Sequence, residues 1–177
     1  MKEIEVKILE INRQQVEETL QQLGAIKSFE GIMAATFFDY PNRSIQKKGG
    51  ILRLRTEGDI SMLTYKNPVE GEKSSAKVME ETETSIGDPE KLMVIFKKTG
   101  LLPFNHNHKI RTQYNLGSVH VVIDEYQGDL AGIPAFLEIE APDETQLYEV
   151  VRQLGFKPED CHSWSTYDLV QHYKVEV

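Results

Sequence analysis

Charged residues recur along this chain in pairs two positions apart, and that spacing restricts its fold more than any other feature. Glu3-Ile4-Glu5-Val6-Lys7 alternates charge with aliphatic side chains. Strand side chains alternate between faces with period two, so Glu3, Glu5 and Lys7 share one face and Ile4 and Val6 the other. The alternation returns with bases in Leu52-Arg53-Leu54-Arg55 and Lys109-Ile110-Arg111, and with acids in Glu81-Thr82-Glu83 and Leu137-Glu138-Ile139-Glu140. A single strand of this kind turns its charges to water. So many, joined by Lys66 after Thr64-Tyr65 and by Asp124 after Val121-Val122-Ile123, predict one closed sheet with a charged interior.

The segments between these strands carry helix and turn punctuation. Residues 2–10 read as a strand, and Asn12 can cap a helix over about 13–23, with Val16, Leu20 and Leu23 as its apolar stripe and Gly24 at its end. Thr36-Phe37-Phe38-Asp39-Tyr40 predicts a strand closed by Pro41-Asn42. Residues 51–56 and 61–66 predict a hairpin around Glu57-Gly58-Asp59. The stretch from Asn67 to Ser75 is polar and aperiodic and reads as a mobile loop, after which 78–86 resume strand. Asp88-Pro89-Glu90 starts a helix that runs to about Lys98, with Gly100 beyond it. Strands are expected at about 108–115, 119–126 and 135–141, a helix capped by Asp143 over 144–154, and an amphipathic helical segment over about 160–173. The expected class is therefore α+β, and with no long linker residues 1–177 are expected to form one domain.

Net charge is −8, which argues against general affinity for nucleic acid or an anionic membrane. Any anion the chain binds must meet bases gathered locally. The single cysteine, Cys161, excludes an intrachain disulfide and a cysteine-rich zinc site. The first residues enter a charged strand with no apolar leader, and no apolar run approaches membrane-spanning length, so a cytoplasmic location is expected.

Buried together without a ligand, Glu3, Glu5, Glu81, Glu83, Asp124, Glu138, Glu140, Lys7, Arg53, Arg55, Lys66, Lys109 and Arg111 would carry a heavy desolvation cost. A wide barrel that holds water, metal and phosphate relieves it. Arginine presents a planar fork to phosphate oxygens and lysine a compact charge. Carboxylates do not bind phosphate directly, so their natural work is to hold Mg²⁺ or Mn²⁺. Bases and acids in this combination point to a metal–triphosphate complex.

Glu3-x-Glu5-x-Lys7, Leu52-Arg53-Leu54-Arg55, Tyr65-Lys66, Lys109-x-Arg111, Asp124 and Glu138-x-Glu140, in this order over essentially the whole chain, resemble the CYTH superfamily of triphosphate tunnel metalloenzymes. The resemblance is closest to its CyaB-like, class IV adenylate cyclase branch. It implies an eight-stranded antiparallel β-barrel, a triphosphate tunnel with charged interior and flanking helices. It also implies a divalent-metal-dependent enzyme acting on ATP, tripolyphosphate or thiamine triphosphate. Lys7, Arg53, Arg55, Lys66, Lys109 and Arg111 would bind the triphosphate. Glu3, Glu5, Glu81, Glu83, Asp124, Glu138 and Glu140 would hold metal, and Lys7, Lys66 and Asp124 would serve catalysis. Water as nucleophile gives a triphosphatase, and the ribose 3′-hydroxyl gives cyclic AMP and pyrophosphate. A non-catalytic polyphosphate or nucleotide sensor is the alternative, although seven carboxylates add little to a pure anion binder. Homodimer formation stays open.

Related sequences often carry a base just before a Ser-x-Tyr-like segment in the last helix. Here the stretch is His162-Ser163-Trp164-Ser165-Thr166-Tyr167, with His162 the only possible cation. His106-Asn107-His108, beside Pro103, reads as a polar turn. Lys47-Lys48-Gly49-Gly50 lacks the phosphate-loop spacing and reads as a plain turn.

Overall fold

In the computed structural model, residues 2–69 and 76–176 are described, without the side chains of Lys2 and Glu3. Eight antiparallel strands close into a barrel, and four helices flank it. The strands are β1 (Lys2–Ile8), β2 (Ile26–Asp39), β3 (Ile51–Glu57), β4 (Ile60–Pro68), β5 (Lys77–Ser85), β6 (Leu102–Leu116), β7 (Val119–Tyr126) and β8 (Phe136–Ala141). Their order around the ring is β5-β4-β3-β2-β6-β7-β8-β1, and β1 pairs back to β5. The helices are α1 (Arg13–Gln22), α2 (Pro89–Thr99), α3 (Glu144–Gln153) and α4 (Thr166–Tyr173). A two-residue strand, β9 (Cys161–His162), pairs with Lys7 and Ile8 on the edge of β1 that β5 leaves free.

The core lies outside the ring. Ile4, Val6 and Ile8 of β1, Val121 and Ile123 of β7, and Leu137 and Ile139 of β8 cluster with Val16 and Leu20 of α1 and Leu147, Val150 and Val151 of α3. These are the residues that alternate with the charges, so the period-two reading holds, and helices cover what the strands turn outward. Leu54 and Phe38 face α2, where Phe38 meets Phe96 edge-on at 5.0 Å. Leu52 packs at the margin of that cluster. Ile110 is only half-buried, opposite Ile32 at 65% exposure. A third cluster, Tyr126, Leu130, Ile133, Phe136 and Leu169, packs α4 against one end of the barrel.

Local signals set the element ends. Asn12, Asp88 and Asp143 each accept a hydrogen bond from the backbone N–H three residues on, at 3.2, 3.0 and 2.9 Å. Gly100 ends α2 with φ of 91°, a conformation that favours glycine. Asp39 is buried after β2 and accepts N–H bonds from Tyr40, Ile45 and Gln46, which folds the connection leading to β3.

Three expectations change. The strand expected at Thr36–Tyr40 is the end of a fourteen-residue β2, whose earlier part contains Ser28, Glu30 and Gly31 and gives little strand signal. The segment over 160–173 is helical only from Thr166, because Ser165 and Asp168 form a capping box that starts the helix there. His106-Asn107-His108 lies within β6 rather than in a turn, paired along β2 from Thr36 to Ala34. Of the expected loop, Asn67 and Pro68 extend β4, and residues 70–75 lie outside the described residues. Among the described residues no helix is long and apolar enough to cross a membrane.

Leu20, with no exposed surface, joins α1 to the outer wall of the barrel. Leu20→Ala is expected to cost about 2–5 kcal/mol, read as a lowered urea midpoint, because the helix and sheet cannot close over the lost volume.

Candidate active site

The lumen is a cavity of about 840 Å³. Lys7, Arg53, Arg55, Lys66, Lys109 and Arg111 line it, and so do Glu5, Glu81, Glu83, Glu138 and Glu140. Each i, i+2 pair whose side chains are both described therefore presents both members to one space, as the strand period requires. Glu3 pairs through its backbone with Met79, and its side chain lies outside the described residues. Asp124 lies on the same face of β7 as His120 and Tyr126, which border the cavity, and it has no exposed surface.

Asp124 organises the β6 side. Arg111, its cross-strand partner, donates from Nε to Oδ1 at 2.9 Å and from Nη2 to Oδ2 at 2.8 Å, and Lys109 donates to Oδ2 as well. Burial opposes ionisation of Asp124, but Arg111 and Lys109 outweigh it and hold the carboxyl below its ordinary value. Burial and the neighbouring Arg111 push Lys109 down, against the pull of Asp124.

Across the lumen, Glu5, Glu138 and Glu140 each offer a carboxylate oxygen, all within 4.8 Å of one another. They come from adjacent strands, with Glu5 opposite Glu140 and Lys7 opposite Glu138. Lys7 reaches Glu5 at 3.4 Å and Glu138 at 3.6 Å. Burial works against the charge on Lys7, yet these two acids raise its pKa. Burial likewise opposes ionisation of Glu138, and Lys7, Lys109 and Arg111 overcome it to hold that carboxyl well below the ordinary range. Glu140 differs, because burial and the adjacent Glu138 push its pKa up. Three close carboxylates are a hard oxygen set suited to Mg²⁺ or Mn²⁺.

On the third side, Lys66 meets Glu81 at 2.8 Å and Arg55 meets Glu83 at 3.0 Å. Thr64 donates to Glu83 at 2.7 Å. The Nε of Arg53 and that of Arg55 are buried and have no hydrogen-bond partner among the described residues. Burial lowers the pKa of Arg53, and the neighbouring Arg55 and Arg111 add to that effect. These arginines hold donor capacity unspent inside the barrel, as an anion site requires.

Several lumen residues escape a search for charge pairs. Lys77 lies on the face of β5 that carries Glu81 and Glu83, two positions beyond Met79, and contacts Glu5 at 2.6 Å. Asn107 is buried and borders the cavity, and so do Met33, Ala35 and Phe37, which give β2 an uncharged inner face. Tyr126, whose hydroxyl burial pushes up to about 12, bonds Thr166 at 2.9 Å. The C-terminal segment reaches the cavity through Ser165 and Thr166, while His162 stacks on Trp164 beside a separate hollow. The Ser165-x-x-Asp168 capping box was the sequence signal for these hydroxyls. Lys47 and Lys48 form an exposed 3₁₀ turn, and Cys161 is half-buried with its thiol pushed up to about 11 by burial.

A closed antiparallel barrel around a charged lumen is the triphosphate tunnel fold. Residues 1–161 match the CYTH domain, and the chain belongs to the CYTH domain family. A relative from Methanocaldococcus jannaschii, named "Putative adenylate cyclase MJ0240", is 32% identical over 140 residues, covering 79% of this chain and 77% of its own. A Vibrio parahaemolyticus structure, described as a "putative adenylate cyclase", is 20% identical with a TM-score of 0.79, over 96% of this chain and 97% of that one. A Hippeastrum structure, described as a "putative adenylyl cyclase" that reveals a dominant triphosphatase activity, is 14% identical with a TM-score of 0.65, over 99% of this chain and 97% of that one.

Asp124→Asn keeps the side-chain shape but removes the charge between two buried bases. It is expected to destabilise the fold by about 3–5 kcal/mol in urea titrations at neutral pH. Because the folded pKa of Asp124 lies below the ordinary 3.8, its stabilisation is present above that value and is lost as pH falls through the lower folded pKa. The variant should lose this part of the acid dependence.

Proposed function

We propose that the protein is a divalent-metal-dependent enzyme acting on the triphosphate chain of a nucleoside triphosphate. The observation that carries this reading is the division of one lumen into clustered carboxylates on β1 and β8 and two arginines on β3 whose buried Nε atoms have no partner among the described residues. Arg53 and Arg55 meet phosphate oxygens through planar forks, and Lys7, Lys66, Lys109 and Arg111 neutralise the rest of the chain. Glu5, Glu138 and Glu140 would hold the metal, with Glu3 as a further ligand and Glu81 and Glu83 contributing to the metal or its water shell. Bound there, Mg²⁺ or Mn²⁺ supplies charge stabilisation and lowers the pKa of an attached nucleophile. Asp124 acts through its two bases, fixing their direction so that little reorganisation is needed as charge moves between phosphoryl oxygens. Lys7 and Lys66, each held by carboxylates, are placed to stabilise that charge.

The inner face of β2 favours an organic triphosphate. Phe37 and Ala35 lie opposite Arg53 and Arg55 across the ladder, so an apolar surface adjoins the phosphate site, and Asn107 offers an amide beside it. A volume of about 840 Å³ falls within the ~300–1,000 Å³ of sites that enclose a whole small organic molecule. We therefore take the expected reaction as ATP to cyclic AMP and pyrophosphate, in line with the name of the Methanocaldococcus relative. Hydrolysis with orthophosphate release is the outcome if water is the nucleophile.

Incubation with ATP and Mg²⁺ or Mn²⁺, separating cyclic AMP from orthophosphate, decides between these outcomes. Turnover of neither ATP nor tripolyphosphate, with binding intact, would leave the sensor reading standing. Glu138→Gln should abolish turnover and keep the circular dichroism spectrum, and EDTA should do the same to the wild type. Phe37→Leu should lower affinity for ATP about ten-fold, within the range for loss of a base–aromatic stack, while tripolyphosphate affinity falls far less. Equal losses for both ligands would remove the assignment of β2.

A further inference from the structure

Lys77 occupies a position that the roles above leave unexplained. Its backbone pairs with Glu5 across β5 and β1, and its ammonium lies 2.6 Å from Glu5 Oε1. The same oxygen is 3.4 Å from Lys7. Glu5 is also one of the three carboxylates whose oxygens converge within 4.8 Å. A divalent ion seated among those oxygens would face two ammonium groups at once. Like charges at such separations repel strongly in a confined site, so one ammonium must leave.

The two lysines are not equally free to go. Lys7 is braced by a second carboxylate, Glu138 at 3.6 Å, and its side chain is only 7% exposed. Lys77 has no ion pair except Glu5 among the described residues, and its side chain is 21% exposed. Both border the same cavity. Lysine is a compact charge on a flexible four-carbon stem, so rotation about a backbone fixed in β5 can carry the ammonium from Glu5 into the lumen.

Resting on the metal–triphosphate reading above, we propose that Lys77 is a tethered counter-ion of the metal site. It neutralises Glu5 when no metal is bound, yields that carboxylate to the divalent ion, and turns onto the triphosphate. Lys77 is a positioning residue that couples the two ligands. Triphosphate draws it off Glu5 and so eases metal entry, and metal releases it to the phosphates. The coupling is reciprocal, as linkage requires.

The test is titration of the full chain with Mn²⁺ alone, followed by calorimetry, in the wild type, Lys77→Met, Lys77→Arg and Arg53→Met. Lys77→Gln is read in parallel, so that a folding defect in the methionine variant does not decide the matter. Removing the competing charge should tighten Mn²⁺ binding about ten-fold in Lys77→Met and Lys77→Gln, the scale of a unit charge removed from a few ångströms away. Lys77→Arg should bind Mn²⁺ like the wild type, and Arg53→Met, which takes a base from the lumen but makes no ion pair with Glu5, should change it far less. Tripolyphosphate without metal should bind more weakly to Lys77→Met than to the wild type. Wild-type Mn²⁺ affinity in both neutral Lys77 variants would overturn the counter-ion role and leave the proposed function in place. Equal tightening in Arg53→Met would also overturn it, since the effect would then be that of total lumen charge. A wild type that binds no Mn²⁺ would overturn the metal reading and this inference together.

Discussion

Asp124 has no contact with solvent, and the arrangement of the lumen depends on it. Two bases on one strand, two residues apart, would repel each other and pull toward whatever water they could reach. The bidentate grip on Arg111 and the shared hold on Lys109 fix both from the neighbouring strand, in register. One negative charge against two positive ones leaves the β6 wall positive, with its direction set before any ligand arrives. Such an ion group contributes little net stability, because desolvation offsets most of its attraction. What it contributes is geometry.

The apolar core accommodates this by lying outside. An ordinary small barrel fills its interior with aliphatic side chains. Here the aliphatic residues point outward, and α1, α2 and α3 supply the second layer that buries them. Packing and chemistry are thus assigned to opposite faces of the same strands. Lumen residues can pair, reorient or release a partner without opening a void in the core. Lys77 and Lys7 show this division, since both contact Glu5 from strands whose outer faces remain packed.

Period-two alternation of charge and aliphatic residues made β1, β3, β5, β6 and β8 legible, and with them most of the lumen. It works because a one-residue slip would turn the aliphatic side chains into the lumen and bury the charges beneath the helices. The same reasoning could not see Met33, Ala35 and Phe37, which share the lumen but carry no charge to mark the face. Lys77 was missed because Met79 stands between it and Glu81, breaking the run of charges. Asp124 was legible as a lumen-side acid, but its burial beneath Arg111 and Lys109 depends on which strand neighbours β7, a topological fact that local spacing does not contain. His162 drew attention as a cation, yet the segment reaches the cavity through Ser165 and Thr166, because the capping box sets where α4 begins.

β1 has partners on both edges, β8 on one and β5 with β9 on the other, and every one of them follows it in the chain. During synthesis this strand therefore waits for β5, which ends at Ser85, and its other edge waits for β8, which begins at Phe136. An unpaired strand is a template for aggregation, and natural proteins commonly blunt such edges with charge. Glu5 and Lys7, kept for the lumen of the finished barrel, also put charge on the waiting strand. The residues that would handle phosphate and metal in the folded protein thus carry the same charge that guards an unpaired strand edge.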